Sequence, residues 1–493
     1  MSLLSRRQSG NLPSIMQLPD EILEEIVSEL DSQPTLLSFA LTSRAFAEVV
    51  IPRHTEYRII RTRHTLPGVW AHLARRADLA RNVREVHLCE RRNYLAPDRF
   101  PTTLVEKSLD DTENNAEETM RILNMDKALR NMTRLHTFTW ICSAHEVRPP
   151  VHRSHGDLIF SAVRSLPALK RFGLSGRFGL HAESIHLDSN STSYPVWNIS
   201  QLDSLCFLGD GWVRPGNAIH VSRMLARSPD LEYLEMPLEY QHLAACKFPH
   251  LKRLKLTLQS GTTSSIDESR TRFLTNHPTI EHLSWFPIGA VSFPPNALPN
   301  LKTLQANRQV MDALEEGSII KRAIECLDIH SLNAVTFTNL NALDRKRLTK
   351  LKLHTFGDIT SVHHLAETFP NISWLSIPAI HLPTTAMHPV PIKLRDLLTL
   401  IPKFCNIEVF RGQALWHATN QDKNIMHKVI MGLVVLCPKL RELDHCDFYD
   451  RRDAYKRVVI FREQREGERT KIRYEVRKPP SRGCFDVMDG AFN

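Results

Sequence analysis

The chain has 493 residues, 42% of them hydrophobic and 24% charged, a balance that suits a soluble globular protein with room for several domains or one long array. Its net charge of +9 permits acidic partners, yet no nucleic-acid motif accompanies the excess, so nucleic acid is not the expected ligand. The longest apolar run, IMGLVVLC at 430–437, is too short to cross a bilayer and no secretory h-region opens the chain; nine scattered cysteines without a C-x-x-C read as reduced thiols of cytosol or nucleus.

Residues 1–13 read as a polar tail. Three short helices follow within 14–55. In the first, Ile22, Leu23, Ile26, Val27 and Leu30 recur at helical spacing, with Glu21, Glu24, Glu25 and Glu29 towards the polar sides. Pro19 suits its first turn, and Asp20 and Glu21 sit where the macrodipole favours negative charge. Asp31 and Ser32 end that helix and open a second carrying Leu36, Leu37, Phe39, Ala40 and Leu41. Thr42 or Ser43 then caps a third, with Phe46, Val49 and Val50, stopped at Ile51-Pro52. So small a unit cannot bury all these side chains by itself. Either they cap the domain that follows, or part of them forms an exposed patch that docks a partner.

The string LPDEILEEIVSEL followed by PTLLSFALTSRAF resembles an F-box, the adaptor-binding motif of SCF-type cullin–RING ubiquitin ligases. The resemblance implies that Leu18, Pro19, Ile22, Leu23, Ile26, Leu30, Leu36, Leu37 and Leu41 contact a Skp-type adaptor, and through it cullin and RING subunits. Many F-boxes carry Trp late in the third helix; here Phe46 stands in that region.

Beyond it, residues 57–60 suggest a short strand and 68–80 a helix. Segments of the form L-x-x-L-x-L then recur, among them NVREVHL, PALKRFGL, PDLEYLEM, PHLKRLKL, PTIEHLSW, AIECLDI, RLTKLKL, PNISWLSI, PKFCNIEVF and PKLRELDH. Their first apolar residues include Leu231, Leu251, Ile372, Phe404 and Leu440. From Leu135 onward the shortest interval runs from Leu231 to Leu251 and the longest from Phe404 to Leu440, which brackets and overshoots the roughly 20–29 residues of a leucine-rich repeat. Helix-like stretches lie between them, such as Leu158, Ile159, Ala162 and Val163, or Val429, Ile430, Leu433 and Val434. The predicted fold class is therefore α/β: a small all-α F-box, an irregular leucine-rich-repeat solenoid over 56–447 resembling those found behind F-boxes, and a charged C-terminal hairpin cap in 448–493. The Asn that usually follows the repeat motif is mostly missing, which predicts an uneven arc. Two insertions interrupt it, an acidic loop in 104–118 and a His- and Pro-rich stretch over 142–157.

No catalytic constellation is evident. Cys142, His145, His152 and His155 match no zinc module and read as loop residues; Gly173, Gly176 and Gly179 read as a turn between repeats, not a phosphate loop. No metal or cofactor is expected. In each strand, positions three and five of the motif face away from the apolar core. That outward surface would carry Arg171, Tyr233, Glu235, Arg253, Lys255, His282, Lys350, Lys352, Trp374 and Glu408, with two basic pairs and two aromatic anchors for a target that is acidic or phosphorylated. The resulting expectation is a non-catalytic substrate receptor of an SCF-type ligase. The alternative is a ligase-independent repeat scaffold that binds protein or nucleic acid.

Overall fold

The computed structural model describes residues 15, 18–30, 32–89, 98–101, 104, 115–142, 151–176, 178, 194–209, 212, 215–237, 241–257, 267–316, 321–381, 388–412, 414–445, 456–463 and 471–477. The tail over 1–13, residues 105–114 of the acidic loop, His145, Gly179 and the turn around Gly467 lie outside them. The chain falls into two compact units: residues 1–90, 98–139 and 154–169 form the first, and 91–97, 140–153 and 170–493 the second.

The first unit opens with the predicted trio of helices, α1 (Asp20–Ser28), α2 (Gln33–Ala40) and α3 (Arg44–Val50). The Ser32 side chain accepts from Thr35 N and the Ser43 side chain from Phe46 N, so Ser43 and not Thr42 caps the third helix. Val27, Leu36, Ala40 and Val50 meet in a small core, and Phe39 stacks on Phe46 with ring centroids 4.3 Å apart. The predicted strand is β1 (Ile59–Thr62), which pairs in parallel with β2 (Glu85–Cys89). The single helix expected over 68–80 is two, α4 (Pro67–Arg75) and α5 (Ala77–Ala80), because Arg76 leaves helical geometry at φ −105° and ψ 73°. α6 (Asn115–Asn131) packs on α4, with Trp70, Leu73, Ile122, Met125 and Leu129 buried. β3 (Thr137–Ile141) and α7 (Arg153–Arg164) follow. His155 thus lies on a helix, not in a loop, and bonds Glu118 at 3.1 Å.

Three arginines hold the C-terminus of α1. Arg58 Nη2 donates to the carbonyls of Val27 and Leu30, each at 2.8 Å, Arg84 Nη2 to that of Ser28 at 2.6 Å, and Arg134 reaches Ser28 Oγ and, at 2.5 Å, Glu25. α1 has no basic residue in its own last turn, so cations from later elements satisfy carbonyls that a helix end leaves unpaired and oppose its negative pole.

The second unit is a parallel ladder. Its strands are β4 (Arg171–Ser175), β5 (Ser204–Leu208), β6 (Tyr233–Pro237), β7 (Arg253–Thr257), β8 (His282–Trp285), β9 (Thr303–Ala306), β10 (Cys326–Leu332), β11 (Lys350–Phe356) and β12 (Trp374–Ser376). After the two-residue pair β13 (Ile380–His381) and β14 (Val390–Pro391), β15 (Val409–Arg411) joins β12 and β16 (Glu442–Asp444) joins β15, both in parallel. Apart from the separate β13–β14 pair, each neighbour in the ladder is the next strand in sequence, as expected of stacked strand–helix units. Inward positions such as Leu234, Met236, Leu254, Leu256, Leu351 and Leu353 are buried, as are Met426, Val429, Ile430, Leu433 and Val434 of α15 (Lys423–Leu436). The hairpin of β17 (Arg457–Glu463) and β18 (Lys471–Arg477) adds antiparallel to β16 and ends the parallel run. One register assignment needs correction: Trp374 aligns with Val409, so Ile407, not Phe404, leads the penultimate motif, and Glu408 precedes the strand instead of lining its outward face.

Strand ends turn sharply at Gly176, Gly209 and Gly412, with φ of 111°, 108° and 91°. Only glycine takes that conformation without a Cβ penalty. The constraint is tightest at Gly412, where a Cβ would sit 1.9 Å from the carbonyl oxygen of Ile377.

Candidate functional site

The residues assigned to adaptor contact divide by exposure. Leu23 and Leu36 are buried and belong to the core of the first unit; Leu18, Ile26 and Leu30 are half-buried. Pro19, Ile22, Leu37 and Leu41 are exposed, Leu41 at 87%, and Ile15 and Ile51 join them as exposed apolar side chains of the same segment. Adjacent residues Leu36 and Leu37 therefore have opposite fates. A leucine left in water forgoes roughly 2 kcal/mol of burial, so these exposed apolar side chains are the candidates for contact with a partner.

His54 sits on the buried side of this segment and donates from Nε2 to Glu24 Oε1 at 3.0 Å. Burial lowers its pKa to about 4, aided by the charges of Arg58 and Arg84 and opposed by Glu24, so at neutral pH the ring is an uncharged donor.

The second candidate surface is the outward face of the ladder. Parallel register lines up Arg171, Ser204, Tyr233, Arg253, His282, Thr303, Cys326, Lys350 and Trp374 in one row, and Gly173, Cys206, Glu235, Lys255, Ser284, Gln305, Asp328, Lys352 and Ser376 in the next. The expected aromatic anchors are not exposed. Tyr233 is 4% exposed and packs with Cys206, and Trp374 is 6% exposed and packs with Val409. Arg171 is exposed, and Arg253, His282, Lys350 and Lys352 are half-buried.

Nor are the two basic pairs uncompensated. Lys255 Nζ lies 2.6 Å from Glu235, a fully buried carboxylate that also accepts from Tyr233 OH at 2.8 Å and Cys206 Sγ at 3.4 Å. Lys352 Nζ lies 3.2 Å from Asp328, likewise fully buried, which takes His354 Nε2 at 2.7 Å and Gln305 Nε2 at 2.9 Å; Ser284 Oγ donates to Gln305 at 2.7 Å. A chain of polar side chains thus crosses four adjacent strands. Further along, Arg411 bonds Glu442 at 2.5 Å and faces Asp444 at 3.4 Å, and burial raises the Asp444 carboxyl above its usual range.

Ser284, Gln305 and Asp328 occupy the same motif positions as the basic residues singled out from the sequence, so alignment of the motifs could have found them. His330 and His354 lie beyond those positions, on two strands that run to seven residues, and the motif gave no sign of them. Among the described residues no three His, Cys, Asp or Glu side chains gather as a metal-binding group, and no helix is long and apolar enough to cross a membrane.

Residues 15–51 match the F-box domain family. No curated protein matches the chain. Among solved structures, the crystal structure of the Rad7 and Elc1 complex in yeast is similar at a TM-score of 0.36 and 12% identity, over 76% of this chain and 92% of that one. The chain thus carries an F-box domain, and a parallel strand–helix ladder follows it in sequence.

Proposed function

We propose that this chain is the substrate-receptor subunit of an SCF-type cullin–RING ubiquitin ligase, acting in cytosol or nucleus. Its F-box docks a Skp-type adaptor, and through the adaptor a cullin and a RING subunit, while the outward ladder face holds a target protein. The chain supplies no chemistry of its own. It raises the effective concentration of a target lysine near a ubiquitin-charged enzyme, a gain that comes from proximity and geometry.

The observation that carries this reading is the set of exposed apolar residues, Ile22, Leu37 and Leu41, within the segment that matches the F-box. The test is capture of the full chain by immobilised, purified Skp-type adaptor. Ile22→Asp with Leu37→Asp should abolish capture and leave the circular dichroism spectrum unchanged, since neither side chain is buried. Unchanged capture would remove the adaptor reading and leave a ligase-independent scaffold.

A further inference from the structure

The two basic pairs on the ladder face differ in what remains available around them. From β4 to β12 the two outward rows hold five cations, Arg171, Arg253, Lys255, Lys350 and Lys352, against two carboxylates, Glu235 and Asp328. Both carboxylates are wholly buried, whereas every cation is exposed or half-buried, so solvent meets a face of one sign. Around Glu235 the cation is closed in, with Lys255 18% exposed. Around Asp328 the surroundings are open. The Lys350 ammonium has no hydrogen-bond or ion-pair partner among the described residues, His354 is 39% exposed at its side chain, and the exposed ring of His330 stacks on His354 at 6.1 Å.

We infer that the β10–β11 portion of this face, centred on Lys350, Lys352 and His354, binds an extended acidic stretch of a protein, with carboxylates on alternate residues. Three residues of one strand, each two apart, repeat at about 6.6 Å, which is also the spacing of same-side residues in an extended peptide. Asp328 at the base anchors Lys352 and His354 from below, so their positions are set before a ligand arrives. The cations here are lysines, point charges spread along a strand, not the arginine forks that converge on a phosphate. Calling the ligand a degradation target rests on the function proposed above; the binding chemistry does not.

The test is fluorescence anisotropy of the full chain with a short fluorescein-labelled peptide carrying glutamate at every second position. A peptide of equal composition with its glutamates in one block, and one with a single phosphoserine, serve as comparisons. Lys350→Glu should weaken binding of the alternating peptide by about tenfold or more, and Lys350→Arg should restore it. Lys346→Glu, an equal charge change at an exposed loop position, should leave it unaltered. Equal binding by Lys350→Glu and Lys346→Glu, or by the alternating and blocked peptides, overturns the inference. Tighter binding of the phosphoserine peptide overturns it in favour of phosphate. Adaptor capture is measured on the same preparations: capture without peptide binding sinks this inference alone, and peptide binding without capture sinks the ligase reading alone.

Discussion

Arg84 Nη2 lies 2.6 Å from the carbonyl oxygen of Ser28, a residue fifty-six positions earlier. With Arg58 and Arg134 it makes the end of the first F-box helix a meeting point for three later parts of the first unit. β17 repeats the device in the second unit, where Arg462 donates to the carbonyls of Leu440, Cys437 and Val434 at the end of α15. Neither helix carries a cation in its own last turn, and each receives one from elsewhere in the chain.

Arg58→Ala should therefore destabilise the first unit by about 3 kcal/mol, because buried carbonyls lose their donors together. Chemical denaturation measures the loss. Hydrogen exchange should show the amides of α1 opening before those of α4. Lys at this position should rescue only partly, since one ammonium lacks the reach and planarity of the guanidinium fork.

Leu36 and Leu37 give a paired prediction. Leu36→Ala empties a fully buried site and should cost about 3 kcal/mol. Leu37→Ala removes a side chain that is 42% exposed and should change stability by less than about 1 kcal/mol while weakening adaptor capture. If Leu37→Ala proved the more destabilising of the two, the assignment of buried and exposed faces would be wrong.

His54 sets a pH dependence. Its folded pKa of about 4 lies below the ordinary histidine value of 6.5, so the unfolded chain takes up a proton that the folded chain refuses. This contribution to stability is fully present above pH 6.5 and is lost as the pH falls towards 4. Thermal melts of the wild type and His54→Gln should converge over that window, with the wild type losing more as acid is added. Gln keeps a donor for Glu24 without the titration.

Lys255 and Glu235 test the ladder's polar row. Lys255→Met strands a fully buried carboxylate and should cost about 3–5 kcal/mol. Adding Glu235→Gln to it should recover part of the loss, because the buried charge is gone, and a double-mutant cycle reads the coupling.

Gly412→Ala should destabilise the second unit by more than about 2 kcal/mol. The backbone there has φ of 91°, and the new methyl meets the Ile377 carbonyl, so strain and steric overlap add. Gly432→Ala, on α15 where an added methyl would have no neighbour within 4 Å, should instead be neutral or stabilising.

What the sequence determined by itself is the local pattern. The spacing of Ile22, Leu23, Ile26 and Val27 specified a helix, Ser32 the start of the second and Thr42 or Ser43 that of the third, and the recurrent L-x-x-L-x-L motif a series of strands whose fourth and sixth positions point inward. These are short-range consequences of periodicity and capping, written within a few residues. Tertiary structure decided which groups meet. Whether Lys255 is a free cation or the partner of Glu235 depends on register between neighbouring strands, and the burial of Tyr233 and Trp374 depends on their neighbours across the ladder. The same holds for Leu36 against Leu37, and for arginines that reach a helix end from thirty to more than a hundred residues away. Charge pairing and burial are properties of separation in space, and periodicity along the chain carries no measure of that distance.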